Sequence, residues 1–184
     1  MTLITELKYN NRGVPREKKI MQACFIGHRH LEPTEKLESS LFDTVIMLIK
    51  MGVTTFMFGS KSDFDHLSWS VVTKLKAVYP HIKRVYVRSS FRYINKFYED
   101  YLLEYYDSTY FPSKIENAGR YSYVERNFEM IDNSLYCIFY YNDLYSPPPK
   151  SNDGILRKRS SGTKIAYEYA LKKGKKIINL YQLG

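Results

Sequence analysis

The sequence contains little cysteine and no long apolar run. Only Cys24 and Cys137 occur among 184 residues, each inside a short apolar stretch. Two isolated cysteines in such stretches indicate neither a disulfide framework nor a zinc pattern. No segment is long enough to span a membrane, and residues 1–19 are polar and basic, without the apolar stretch of a signal peptide. We therefore expect a cytoplasmic protein with no membrane partner.

Several catalytic and cofactor motifs are also missing. The first glycine turn lacks the dinucleotide fingerprint Gly-x-Gly-x-x-Gly, and neither a Gly-Lys-Ser/Thr phosphate loop nor a Gly-x-Ser-x-Gly turn occurs. These absences disfavour a conventional dehydrogenase, a P-loop NTPase and a serine hydrolase. His28 with His30, and Asp63 and Asp65 with His66, have no third or fourth partner at a fixed spacing. The spacing therefore disfavours a metal site.

Positive charge is in excess. The formal net charge is +9, with local concentrations at 12–19, 157–159 and 172–176. Such a balance suits an anionic partner, either a nucleotide or a nucleic-acid backbone, and does not choose between them. A solvated cationic surface is the alternative for each cluster.

Apolar runs alternate with amphipathic segments of helical length, which is typical of βαβ units and a parallel sheet. We predict strands at 22–26, 54–58, 84–87, 108–111, 135–140 and 176–180, and helices at 35–51, 64–79, 93–105, 120–132 and 162–173. The sequence therefore predicts an α/β fold whose mostly parallel sheet is flanked by helices on both faces. We assign residues 21–184 to this single domain and residues 1–20 to a basic N-terminal arm.

Three glycine-containing turns lie between a predicted strand and the next helix, at Gly27, Gly59 and Gly162. The carboxyl ends of parallel strands meet at one edge of a sheet, and ligands bind outside that edge. Glycine permits close approach of a ligand to the backbone, and the first amides of a helix attract anions. The three turns therefore predict one cleft for a phosphorylated small molecule.

Residues next to these turns are the candidate ligand contacts. Arg29 can pair with a phosphate through a bidentate fork, although a surface arginine is the alternative. The hydroxyls of Ser161 and Thr163 can join the first-turn amides at one anion, but Ser-Gly-Thr is also an ordinary helix cap. The candidates at the first two turns are Gly27, His28, Arg29, Gly59, Ser60 and Asp65.

The connection from about 142 to 160 contains Pro147, Pro148 and Pro149 and leads directly into Ser161. Connections of this length without predicted structure are uncommon in compact domains. It is either a lid over the ligand or a disordered insertion.

Five short segments carry a family resemblance through their order and spacing. They are 25–29 (FIGHR), 59–65 (GSKSDFD), 75–76 with 80–83 (LK, PHIK), 126–132 (RNFEMID), and 161–163 with 169–175 (SGT, YALKKGK). In these segments the chain resembles the SLOG superfamily, a Rossmann-like group that unites LOG proteins with DNA-processing protein A, and most closely its YpsA-like bacterial branch. The resemblance implies a Rossmann-like sheet that binds a nucleotide or nucleotide-derived ligand, often as a homodimer.

The resemblance also implies roles for individual residues. LOG enzymes cleave the N-glycosidic bond of nucleoside monophosphates, with an Arg-Lys-x-x-Met segment followed by Pro-Gly-Gly-x-Gly-Thr-x-x-Glu. Arg126 and Met130 align with the first motif, and Gly162 and Thr163 with the second. Ala166 stands where the glutamate is expected, and a methyl group cannot activate water. Arg126 is therefore the one candidate catalytic residue.

The orientation of Arg126 leaves two alternatives. The apolar stripe of its predicted helix consists of Tyr121, Val124, Phe128 and Ile131. Arg126 projects from nearly the opposite side, so it either contacts ligand or is exposed to solvent. Asn127 lies nearer the edge of the stripe and is expected to face the cleft.

These observations favour a ligand-sensing or sequestering module that binds a nucleotide-type molecule, with no other cofactor identified. One alternative is a LOG-like phosphoribohydrolase or another nucleotide-processing enzyme. A second is nucleic-acid binding resembling that of DNA-processing protein A, which the net charge and residues 157–159 favour although no DNA-reading motif is present.

Overall fold

The computed structural model describes residues 21–59, 62–145 and 161–183. The predicted basic arm, Ser60 and Lys61 of the second glycine turn, and the 146–160 part of the long connection lie outside these described residues.

Six strands and five α-helices alternate along the described chain. The strands are β1 (Met21–Gly27), β2 (Val53–Phe58), β3 (Lys83–Val87), β4 (Ser108–Tyr110), β5 (Tyr136–Tyr140) and β6 (Lys176–Asn179). The helices are α1 (Glu35–Lys50), α2 (Asp63–Lys76), α3 (Lys96–Tyr105), α4 (Ser122–Asn133) and α5 (Gly162–Lys172), with short 3₁₀ helices at Ser113–Ile115, Gly119–Tyr121 and Leu180–Leu183. Among the described residues, no helix is both long and apolar enough to cross a membrane.

All six strands are parallel and belong to one sheet, in the order β4-β3-β2-β1-β5-β6. The chain runs outward from β1 through β2, β3 and β4, and then returns to the other side of β1 to form β5 and β6. The order therefore reverses between β1 and β5, which is where open α/β sheets form a crevice for ligands. The predicted fold class, a Rossmann-like α/β sheet, is confirmed.

The strands alternate between two apolar layers because successive side chains point to opposite faces of a sheet. Phe25, Phe56 and Ile138 face the layer that α1 and α2 cover. Cys24 and Cys137 face the layer that α4 and α5 cover, and they stand opposite each other on β1 and β5. Both cysteines are buried and free, as their apolar surroundings in the sequence predict.

The helix ends carry local stabilising groups. The Thr34 hydroxyl accepts a hydrogen bond from the Leu37 amide (3.1 Å) at the start of α1. Gly52 follows that helix with φ +96°, a conformation that residues with a side chain rarely adopt. These ends fix where β2 begins, and so where its carboxyl end meets the other strands.

Candidate functional site

The crevice between β1 and β5 is held together by side chains at the carboxyl ends of the strands. The Thr163 hydroxyl of α5 donates to the carbonyl of Gly27 at the end of β1 (2.9 Å). The amide of Asn142, two residues after β5, donates to His28 Nε2 (2.9 Å). The first turn of α5 is therefore attached directly to the end of β1.

The start of α5 has the features of an anion site. The Ser161 hydroxyl caps the helix by accepting from the Lys164 amide (3.1 Å), and no acidic residue lies in the first turn. The amides of Gly162 and Thr163 have no partners within the helix, because the first amides of any α-helix lack them. A Cβ atom at Gly162 would meet no atom of the described residues within 4 Å, so this glycine borders open space in the described part of the chain.

The start of α2 is different, although the sequence analysis treated the two turns alike. Asp63 and Asp65 both lie in its first turn. The Asp63 amide donates to the Arg29 carbonyl (2.9 Å), and the Asp65 amide donates to the Ser62 hydroxyl (3.1 Å). Two amides are thus occupied and two carboxylates stand beside them, which makes this helix start less suitable for an anion than α5.

Gly27 and Gly59 make room for neighbouring side chains. A Cβ at Gly27 would lie 2.5 Å from Cβ of Phe64, and one at Gly59 would lie 2.7 Å from Arg126 Nε and from Met130 Sδ. From the sequence, both glycines were expected to allow a ligand to approach the backbone. Internal packing accounts for both glycines without a ligand. Of the three turn glycines, only Gly162 would place a Cβ more than 4 Å from every described neighbour.

Arg126 is buried beside Gly59, with 2% of its surface exposed. Nη1 donates to the Ser89 hydroxyl (3.4 Å) and Nη2 donates to Asn127 Oδ1 (3.0 Å). Nε is buried and has no partner within the described ranges. Burial lowers the pKa of Arg126, and the negative charge of Asp65 acts in the opposite direction.

Solvent exposure of Arg126, one of the two alternatives from its helical position, is therefore wrong. Arg126 is one turn before Met130, so both project from the same side of α4. Met130 reaches the apolar layer, whereas Arg126 passes over Gly59, beyond the end of β2. The apolar stripe predicted from the sequence did not include Met130. The side of α4 that carries Arg126 and Met130 was therefore not recognised as facing the protein interior.

Gly59, Asp65, Ser89, Arg126 and Asn127 together form what we call the Arg126 cluster. The Gly59 amide donates to Asp65 Oδ1 (3.4 Å), and the Asp65 carboxylate is buried. The cluster brings together residues from α2, from α4 and from the turns after β2 and β3. Ser89 was not among the predicted contacts. It follows the carboxyl end of β3, as Gly59 follows that of β2, so the strand-end rule that selected Gly59 also applies to Ser89.

His28 is buried at the crevice. Its ring stacks on Tyr145 with 4.0 Å between ring centroids. Burial lowers the pKa of His28, and its hydrogen bond with the Asn142 backbone acts in the opposite direction. His28 Nε2 lies 2.9 Å from the Asn142 amide nitrogen and 3.2 Å from the Asn142 carbonyl oxygen. Nδ1 is buried without a partner among the residues that the structure describes. His30 is exposed and lies 3.6 Å from Asp63 through its Nδ1 atom.

The remaining candidates have different surroundings. Arg29 is exposed, which corresponds to the surface alternative for its side chain. Ala166 is completely buried in the layer under α5, whereas Glu168 is exposed and lies 3.9 Å from Lys164. Within the described ranges, no group of three or more His, Cys, Asp or Glu residues is placed to hold a metal ion.

No protein-family model and no curated protein matches this sequence. The resemblance to the SLOG superfamily therefore stands on the five sequence segments, and the nucleotide ligand and the homodimer that it implies stay predictions.

Proposed function

We propose that this protein binds a nucleotide or nucleotide-derived small molecule at the carboxyl edge of its sheet, as a sensing or sequestering module. The anionic part of the ligand would lie between the start of α5 and the Arg126 cluster. These two features adjoin the ends of β1 and β2, which are neighbouring strands spaced about 4.8 Å apart.

The buried guanidinium of Arg126 carries this proposal. Its two hydrogen bonds go to neutral oxygens, and its Nε has no partner within the described part of the chain. A buried charge is costly unless it is paired and hydrogen-bonded. Asp65 offsets part of that cost through its charge. A phosphate at this edge would offset more, and the amides of Gly162 and Thr163, which lack partners within α5, would stabilise the same anion.

The nucleotide class comes from the family resemblance, and one observation favours an enzyme as the second candidate. Asp65 is a buried carboxylate close enough to act on the charge of Arg126. A carboxylate and an arginine at one edge are groups that N-glycosidic hydrolysis can use. Against this, Ala166 occupies the position of the family's glutamate and is buried in the apolar layer. Residues 157–159, which favoured nucleic acid, lie outside the described residues.

Ligand-dependent thermal stability tests the proposal. A nucleoside monophosphate at a hundredfold excess over its Kd should add about 2.7 kcal/mol to the free energy of unfolding. For a chain of this length, that corresponds to a rise in Tm of roughly 5–10 °C. The matching nucleoside without phosphate should have much less effect, because it lacks the anion that Arg126 and α5 would bind.

Native mass spectrometry of the purified protein, followed by denaturing release, would identify a nucleotide that co-purifies. Equal stabilisation by nucleoside and nucleotide would contradict a phosphate site, as would no stabilisation across nucleotides of all common bases.

A further inference from the structure

The loop from Arg88 to Asn95 connects β3 to α3 at the same edge of the sheet as the Arg126 cluster. Ser89, two residues after the end of β3, is buried and accepts the hydrogen bond from Arg126 Nη1. Phe91 follows only two residues later, so its Cα lies within about 7 Å of the Cα of Ser89. The loop therefore leads directly from the buried cation to the surface.

Phe91 has an unusual backbone and an unusual exposure. Its φ is +59°, which makes it the one residue other than glycine in the left-handed region among those described. A bulky residue in this region is a genuine outlier, and such strain is concentrated at functional sites. Its side chain is nevertheless 71% exposed, so the strained backbone gains no packing for the ring.

Arg88 holds this conformation in place. Its Nη1 donates to the carbonyls of Phe91 (2.6 Å) and Arg92 (3.4 Å). Its guanidinium carbon lies 6.0 Å from the ring centroid of Phe111, which follows β4. The loop is thus tied to the end of the neighbouring strand, and the exposure of the ring is a built feature of the turn.

Two other exposed aromatic residues are less suited to the same ligand. One face of the Tyr93 ring is covered by the Arg92 guanidinium, 5.1 Å from its centroid. Phe97 is 83% exposed, but it lies on α3, farther along the chain from Ser89. The cations here are also engaged, because Lys96 pairs with Asp100 and Arg92 pairs with Glu116. Among the described residues, these paired cations offer a long polyanion little free positive charge beside the rings.

We infer that Phe91 is the surface on which the base of the bound nucleotide stacks. Aromatic rings stack on nucleobases through their faces, whichever base is present. The inference rests on the proposed function, since it requires the phosphate to lie near Arg126. It adds the base-binding element, which neither the glycine turns nor the start of α5 provides.

Isothermal titration of the full chain tests it with two probes. One is a panel of nucleoside monophosphates, and the other is ribose 5-phosphate, which has the sugar and phosphate without a base. The wild type should bind at least one nucleotide between about 5-fold and about 150-fold more tightly than ribose 5-phosphate. Phe91→Asn should abolish this preference and leave the affinity for ribose 5-phosphate unchanged.

Controls separate stacking from a general effect on the fold. Asn tolerates the left-handed conformation, so Phe91→Asn should fold and have a Tm equal to or above that of the wild type. Phe97→Asn removes an equally exposed ring by the same substitution and should keep the preference. Phe91→Trp should also keep the preference for nucleotides over ribose 5-phosphate. Nucleotides should quench the tryptophan fluorescence of this variant more than that of the wild type, whose one tryptophan is Trp69.

The outcomes distinguish the two proposals. If neither probe binds the wild type, the proposed function fails and this inference fails with it. If both bind equally well, or if Phe91→Asn keeps the preference for nucleotides, only the inference is overturned. Loss of affinity for both probes in Phe91→Asn would show that the loop acts through Ser89 and not by stacking. If Phe91→Asn instead loses self-association or the binding of another protein, the Phe91 ring contacts a protein partner and the inference is overturned.

Discussion

Replacing Arg126 with Met removes a buried charge and retains much of the side-chain length. Hydrogen bonds that involve a charged group contribute about 1.5–3 kcal/mol each, and the 3.4 Å bond to Ser89 belongs at the low end. The opposing cost of burying one ion is several kcal/mol, and here Nε has no partner in the described part of the chain. The two effects nearly cancel. We therefore expect the free energy of unfolding without ligand to change by less than about 1 kcal/mol.

The same substitution should have a large effect on binding. If the guanidinium binds the phosphate, its loss removes about 1.5–3 kcal/mol of charge-assisted hydrogen bonding. The affinity for a nucleoside monophosphate should then fall between about 10-fold and about 150-fold. Urea denaturation of the ligand-free protein gives the first quantity, and isothermal titration gives the second. Arg29→Met, the same change at an exposed arginine, is the stability control and should shift unfolding by less than about 0.5 kcal/mol.

One result would refute this reasoning. Removing one member of a buried ion pair typically costs 3–5 kcal/mol, because the other charge is left uncompensated. If Arg126→Met loses that much, and adding Asp65→Asn restores it, the guanidinium serves to neutralise Asp65. If Arg126→Met also binds the ligand with unchanged affinity, Arg126 is a structural residue and not a ligand contact.

Three further predictions concern other parts of the edge. Gly162→Ala should stabilise the free protein by about 0.4–1 kcal/mol and weaken ligand binding. Gly27→Ala should destabilise the protein by about 1–3 kcal/mol, because the added methyl group would contact Phe64. Urea denaturation measures the two changes in stability, and isothermal titration measures ligand binding by both variants. Burial lowers the pKa of His28 from 6.5, so between that lowered value and pH 6.5 the unfolded chain binds more protons than the folded one. The contribution of His28 to the free energy of unfolding is therefore complete above pH 6.5 and is lost as pH falls towards the folded pKa; His28→Gln, which keeps an acceptor for the Asn142 amide, should lack this loss in denaturation series from about pH 5 to about pH 8. The wild type should release no free base from nucleoside monophosphates, because the buried Ala166 stands where LOG enzymes, which the sequence resembles, have a glutamate; free base that chromatography detects with the wild type and not with Arg126→Ala would assign the protein to the hydrolases instead.

The fold was predictable because its signals are local. Strands of a parallel sheet are buried on both faces, so β1, β2 and β5 occur in the sequence as mostly apolar runs. Each predicted strand and helix is present in the structure, and most of the ends agree within two residues. Two ends differ by three residues: α2 ends at Lys76 where residue 79 was predicted, and α3 starts at Lys96 where residue 93 was predicted. Asn95 caps that helix by accepting from the Tyr98 amide (2.9 Å), a signal that the apolar pattern does not contain.

The candidate site was only partly predictable, because its geometry depends on what packs against each turn. The sequence located Gly27 and Gly59 at strand ends, but the reasons for these glycines lie in α2 and α4. The burial of Arg126 depends on how α4 extends past the end of β2, which a helical projection does not record. The pairing of His28 with Asn142 depends on the reversal of strand order between β1 and β5.

The hydrogen bonds that assemble this edge join residues far apart along the chain. The bond from Thr163 to Gly27 spans 136 positions, the one between His28 and Asn142 spans 114, and the one from Arg126 to Ser89 spans 37. Contacts of such long range form only after the entropy of closing large loops has been overcome, so they are expected late in folding. A fragment with the first three strands, or a partly folded intermediate without β5 and α5, would carry the turns at Gly27 and Gly59 but no assembled site. Ligand binding would then report the completion of folding itself, and the rate at which binding competence appears on refolding would measure the last step of assembly.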